Sequence, residues 1–217
     1  QSHPFRISED VFIPVFDSVF RLFYHSRNST AISAPWADPG YERPAGIPPA
    51  LTSRIHPVVT ASAHSANETP NAYKKVLRGW FDAGDYGQYV ANVAPVWHAF
   101  GVVMDLAPGF FSNDDFNLPE SHNGIPDILD ELEWGMDWLL SMQNSANGGV
   151  YSRSVPVLWD DSLPQDAERP RYLFEITSHA TASFAAMTAM HARMMMEWRP
   201  GRAAHALNAA RAAWNFL

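Results

Sequence analysis

Apolar residues recur at Phe12, Phe16, Val19, Phe20 and Phe23, the spacing of one helical face, and Ser8 followed by Glu9 and Asp10 has the composition of a helix start. This predicts a first helix from Ser8 to about Asn28. Residues 28–79 then bring Pro35, Pro39, Pro44, Pro48, Pro49, Pro57 and Pro70 with no sustained period, the pattern of a long irregular excursion. Loops of this length usually wrap a cleft or pack against a neighbouring module; a flexible linker is the competing reading. A second helix is expected from about Gly84 to Leu106, because Val93, Val96, Trp97, Phe100 and Met104 share a face, with a kink at Pro95. The third is the clearest: Pro126 stands where helices begin, and Ile128, Leu129, Leu132, Met136, Leu139 and Leu140 form a broad apolar stripe that ends at Asn147-Gly148-Gly149. Val150–Val157 reads as a short strand or extended loop. Leu158–Arg171 is polar and contains proline. A fourth helix is expected from about Ser178 to Glu197, and a fifth from about Ala203 to the last residue.

Five helices joined by loops of unequal length, without strand repeats or a fixed sequence period, predict an all-α array of helical hairpins. The last residues, Trp214, Phe216 and Leu217, include no cap, glycine or charged turn, so a continuing polypeptide is expected.

Composition narrows the function classes. The 217 residues are 47% hydrophobic and 18% charged, a folded-domain composition. A formal net charge of -8 with unclustered Lys and Arg argues against nucleic acid and anionic membranes as partners. No apolar run approaches the roughly 20 residues that span a bilayer. With no cysteine, disulfides and thiolate metal sites are excluded, but the compartment is left open. Aromatics at 13% suit either a thick core or a sugar-stacking cleft.

The most informative run is Gly79-Trp80-Phe81-Asp82-Ala83-Gly84-Asp85-Tyr86-Gly87-Gln88-Tyr89-Val90. Asp82 and Asp85 stand three apart at what reads as a loop-to-helix junction. Capping of a helix N-terminus is one explanation. The other is that small Ala83 and Gly84 allow close approach of a ligand while the two acids hold and deprotonate a water. Carboxylates one helical turn apart lie about 5 to 6 Å apart at Cβ, which suits a retaining dyad or two acids sharing one water, and periodicity does not choose.

This run resembles the Gly-Trp-Tyr-Asp-Ala-Gly-Asp-Tyr-Gly-x-Tyr-Val signature of family-nine glycoside hydrolases, with Phe81 in place of the usual Tyr. Asn123 to Glu131, Trp134 to Gln143, Gly148-Gly149-Val150-Tyr151, Thr181 to Ala186 and Ala212 to Leu217 continue the likeness in the family's order, over roughly residues 5–217. The resemblance implies a partial (α/α)6 barrel, with roughly five of twelve helices present, forming the N-terminal part of one catalytic domain. Residues 1–7 would join it to a preceding immunoglobulin-like module. It further implies inverting cleavage of β-1,4-glycosidic bonds, with Asp85 as general base and Asp82 helping to bind the attacking water. The family's general acid, a glutamate near the domain's C-terminal end, has no counterpart here. The other half of the barrel, on the same or a second chain, is therefore an expected partner.

Trp80, Phe81 and Tyr86 around the base, and Trp159 and Arg171 in a polar loop where relatives line the cleft, are the substrate-binding candidates. No cofactor is expected in this segment, and calcium is left to the complete domain. His25, His56 and His64 fall where some relatives bind zinc, but that site also uses cysteines, so no metal is assigned. Asp127, Asp130 and Glu131 are read as capping and packing residues, and Asn113 to Glu120 as a solvated loop. The implied substrate is a cellulose-type glucan, and the implied location secreted or periplasmic. Rival readings are an exo-β-D-glucosaminidase acting on chitosan oligosaccharides and a non-catalytic carbohydrate-binding fragment. The isolated chain is expected to be inactive, with apolar stripes left uncovered.

Overall fold

A computed structural model describes residues 3–8, 11–47, 54–55, 74–156, 158 and 162–217. Six helices are described, α1 (Ile13–Ser26), α2 (Ala94–Leu106), α3 (Pro108–Phe111), α4 (Asp127–Met142), α5 (Ser178–Met195) and α6 (Pro200–Phe216), five of them long. Strands β1 (Arg54–Ile55), β2 (Gln88–Tyr89), β3 (Arg153–Pro156) and β4 (Arg171–Leu173) form a small sheet in the order β1-β4-β3-β2. β2 and β4 flank β3 antiparallel, and β1 lies parallel to β4.

α4 is the axis of the packing. Asp127 and Asp130 occupy its first turn, where the helix dipole favours acids. Nearly every face of the helix is buried: Ile128, Leu129, Leu132 and Leu139 are sealed among aromatic and aliphatic neighbours. Gly135 permits the closest approach, since a Cβ there would stand 2.3 Å from the Trp80 ring and 2.8 Å from that of Trp97. α5 begins at Thr177, whose hydroxyl accepts the Ala180 amide at 3.1 Å, and runs antiparallel into α6 across Ala180, Ala185, Ala203, Ala206 and Ala213, small residues that let the two backbones draw together. Gln143 ties the end of α4 to this hairpin by donating to the carbonyls of Gly148 and Ala209. α1 packs through Phe16, Phe20 and Phe23 onto Phe100, Phe110, Phe111 and Phe116, ring edges meeting ring faces.

Two helix starts move well away from their expected places. α1 starts at Ile13 rather than Ser8, with Pro14 in its first turn, where a missing amide hydrogen costs nothing; Phe12 and Val19 then face outward instead of inward. α2 starts at Ala94 after a 3-10 turn at Ala91–Val93, so Pro95 sits in a first turn and produces no kink. The run from Gly84 to Tyr89 is consequently not helical. It is a tight turn followed by β2, because Gln88 and Tyr89 pair with Ser154 and Arg153 of β3.

Candidate active site

Asp82 and Asp85 lie in a turn between Phe81 and β2, not at a helix start. The Asp82 amide donates to the Gly87 carbonyl and the Tyr86 amide to the Ala83 carbonyl, both at 2.9 Å, so the chain doubles back within six residues. Tyr86 takes a left-handed conformation (φ 50°) to complete the reversal. The capping explanation fails at this point, since neither residue stands at a helix start and neither carboxylate accepts a backbone amide of a helix. Each is held by neutral donors instead. Asp85 Oδ1 accepts the Gly87 amide at 2.9 Å and Oδ2 accepts the Tyr89 hydroxyl at 2.7 Å. Asp82, which is exposed, accepts the Asn92 side-chain amide on both oxygens at 3.2 and 3.3 Å.

A cleft of about 660 Å³ opens beside this turn, bordered by Phe81, Asp82, Gly84, Tyr86 and Asn92. Its far wall is the end of α1 and the loop after it, with Leu22, His25, Tyr41 and Arg43. Arg43 fixes that wall by donating to the carbonyls of His25 and Arg27 at 3.1 and 2.6 Å. Asp85 stands one step away, in a narrow crevice shared with Tyr86, Arg169 and Arg171.

The substrate-binding candidates divide by position. Phe81 and Tyr86 border the cleft as an edge-to-face pair with centroids 5.3 Å apart. Trp80 is only 5% exposed; its indole N–H donates to Glu131 Oε1 at 2.6 Å and its ring packs on Phe23 and Trp97, so it reaches the cleft floor only by an edge. Arg171 is buried on β4 and donates to the Ser154 carbonyl. Trp159 lies outside the described residues, as do His56 and His64. Tyr89, Asn92, Tyr41 and Arg43 were not among the sequence candidates. Tyr89 at least was visible, as the last aromatic of the run that carries the acids.

His25 does not suit a metal ion. Its Nε2 lies 3.0 Å from Asp38 Oδ2, and the same carboxylate binds the Arg21 guanidinium at 3.0 Å, which already neutralises it. Among the described residues no group of three or more His, Asp or Glu is placed to hold a metal, and no helix is long and apolar enough to cross a membrane.

A second, buried set of carboxylates runs along α4. Glu131 is fully buried and takes Arg27 on both oxygens at 2.9 to 3.1 Å, while Arg27 also binds Glu120. Burial alone would lower the Arg27 basicity; the two glutamates outweigh it and hold the guanidinium charged. Glu133 is likewise drawn below the usual carboxylate range despite burial, by His191 and Arg202. Burial pushes Asp130 up to about 6 against the opposing pull of Asn123 and Arg199. Asp127, also raised by burial, caps the preceding loop through the Phe116 amide and Ser121 hydroxyl.

Helical hairpins that present a carboxylate turn on the rim of a wide cleft, with Asp127, Asp130, Glu131 and Glu133 sealed into the packing, have the build of a helical-toroid glycosidase. The chain belongs to glycosyl hydrolase family 9, whose model matches residues 15–217. It is 31% identical over 214 residues to the xyloglucan-specific endo-beta-1,4-glucanase of Bacteroides ovatus, covering 97% of this chain and 35% of that protein. It is 34% identical to a cellulose 1,4-beta-cellobiosidase of Acetivibrio thermocellus, covering 98% and 26%. The solved structure of a Bacteroides ovatus family-9 glycoside hydrolase superposes with a TM-score of 0.87 at 31% identity, over 97% of this chain and 38% of the other. The chain thus spans about a third of the length of the relatives it matches. Its five long helices are part of an (α/α)6 barrel, as the sequence resemblance implied.

Proposed function

We propose that these residues form the N-terminal part of the catalytic domain of a secreted or periplasmic enzyme that hydrolyses β-1,4-linked glucans with inversion. The observation that carries the reading is the turn at Asp82 and Asp85, where Asp82 borders a wide cleft, Asp85 stands in the adjoining crevice, and among the described residues neither carboxylate forms a salt bridge. Asp85 takes a proton from a water that Asp82 helps to hold. The water oxygen bonds to the anomeric carbon from the face opposite the departing sugar, the glycosidic C–O bond breaks, and the leaving oxygen takes a proton from a general acid outside this segment. Phe81 and Tyr86 offer aromatic faces for sugar stacking, with Trp80 packed behind them, and Arg171 lines the adjoining crevice beside Asp85; Trp159 is kept as a binding candidate on its sequence alone. The step needs no cofactor from these residues, and calcium is left to the complete domain.

The test uses the complete polypeptide in which this segment occurs, assayed on soluble β-glucan, xyloglucan and chitosan oligomers, with the anomer of the product followed by NMR. The expected product carries the inverted anomeric configuration. Asp85→Ala should lower turnover by about 10² to 10⁴-fold, the usual contribution of a positioned base. Turnover close to wild type in that variant removes Asp85 from the mechanism. Activity confined to amino-sugar oligomers replaces the glucan reading with the glucosaminidase one, and binding without hydrolysis replaces both with a carbohydrate-binding role.

A further inference from the structure

We propose that Tyr89 is a positioning residue for the base, holding the Asp85 carboxylate through its phenol; this rests on Asp85 being the base. Asp85 sits in a turn, outside any helix or strand whose packing would fix its side chain, and general base catalysis falls steeply when the base is misplaced by as little as 1 Å. Two donors supply the missing constraint. The Gly87 amide fixes Oδ1 at 2.9 Å and the Tyr89 hydroxyl fixes Oδ2 at 2.7 Å. Together they leave the remaining lone pairs of the two oxygens to a water, since an ionised carboxylate offers about four acceptor sites.

Tyr89 is itself anchored from the opposite direction. It lies on β2 in register with Arg153 of β3, so its backbone belongs to the sheet while its side chain folds back over the turn. Gly87 makes that fold possible: a Cβ there would stand 2.6 Å from the Tyr89 ring, 2.9 Å from its hydroxyl and 3.0 Å from Asp85 Oδ2. A side chain at position 87 would therefore occupy the space through which ring and carboxylate meet. The phenol keeps its proton throughout the working range, pushed up to about 12 by burial and then by its bond to Asp85, so it acts as a permanent donor. Neither Tyr89 nor Gly87 borders the wide cleft, which separates this role from sugar binding.

Four forms of the complete polypeptide test the proposal: wild type, Tyr89→Phe, Asp85→Ala and the double variant. Tyr89→Phe keeps the ring and removes only the donor. Its kcat should fall by at least about tenfold with KM within about twofold, because the base is misplaced while sugar contacts persist. In the Asp85→Ala background the same substitution should cost nothing further, which a purely structural role for Tyr89 would not produce. Gly87→Ala, which displaces the ring, should lower kcat in the same manner. If Asp85→Ala is inactive and Tyr89→Phe turns over like wild type, the positioning role is wrong and the base assignment survives. If Tyr89→Phe lowers turnover equally with and without Asp85, Tyr89 acts elsewhere. Wild-type turnover in Asp85→Ala overturns the base assignment itself.

Discussion

Glu131 and Glu133 on α4 and the pair Asp82 and Asp85 in the turn before β2 are all acids within one segment, yet they are held by opposite kinds of partner. Along α4 the carboxylates are buried and answered by cations: Arg27 grips Glu131, while Arg202 and His191 hold Glu133. In the turn they are exposed or half-buried and answered by neutral donors, the Gly87 amide, the Tyr89 hydroxyl and the Asn92 amide. A guanidinium bound on both oxygens removes the basicity that proton transfer requires; a neutral clamp orients the carboxylate and leaves its charge available. The contrast separates acids that fasten helices from acids that can do chemistry, and it does so without counting carboxylates in a motif.

The comparison breaks first at Glu131. Replacing it with alanine leaves Arg27 as a buried, half-answered charge and takes the acceptor from the Trp80 indole, so the complete protein should lose about 3 to 5 kcal/mol of stability. Denaturant unfolding of Glu131→Ala beside Asp85→Ala checks this, because the turn variant should stay within about 1 kcal/mol of wild type. Equal losses would erase the distinction between fastening and chemical acids. Gly135→Ala is expected to cost less, about 1 to 3 kcal/mol, by driving a methyl group into the Trp80 and Trp97 rings. Since Trp80 lies directly before Phe81, this variant also asks whether strain in the α4 packing reaches the cleft. A thermal melt beside a kcat measurement answers both, and a neutral melt would mean that the rings yield without cost.

How far the two regions could be read from sequence follows from the range of the interactions that make them. α4 was legible because its stripe is continuous and its start is marked by Pro126, both local signals. The acids of the turn were legible as a motif, but their setting was not: Gly84 to Tyr89 reads as the first turns of a helix until β3, far along the chain, takes Gln88 and Tyr89 as strand partners. The same non-local pairing turned Pro95 from an expected kink into an ordinary first-turn proline. Tyr41 and Arg43 join the cleft only because Arg43 reaches the carbonyls of His25 and Arg27 across an irregular loop. No periodicity encodes such a contact. Asp127, Asp130 and Glu131 were placed correctly as packing residues, yet Arg27 and Arg199, which answer Glu131 and Asp130 from distant helix ends, have no signal of their own in the pattern.

Asp130 offers the finest test, because it stands between the two classes: buried like Glu131, but answered, among the described residues, by the Asn123 amide and a partly exposed Arg199. Its carboxyl is pushed up to about 6 by burial, whereas an unfolded aspartate titrates near 3.9. Between about pH 4 and 6 the folded state therefore binds a proton that the unfolded state does not. Stability linked to this group is greatest below pH 4, declines as pH rises to 6, and is level beyond. Asp130→Asn removes the titration while keeping an oxygen that can accept from Arg199 and Asn123. Relative to wild type, the variant should gain on the order of 1 to 2 kcal/mol on going from pH 4 to 6.5, after allowance for solvent at the Arg199 side. Paired urea titrations at the two pH values measure that difference directly, with all other titrating groups common to both proteins. A wild-type-minus-variant difference that does not change with pH would show that Arg199 neutralises Asp130 as fully as Arg27 neutralises Glu131, and would move Asp130 into the fastening class.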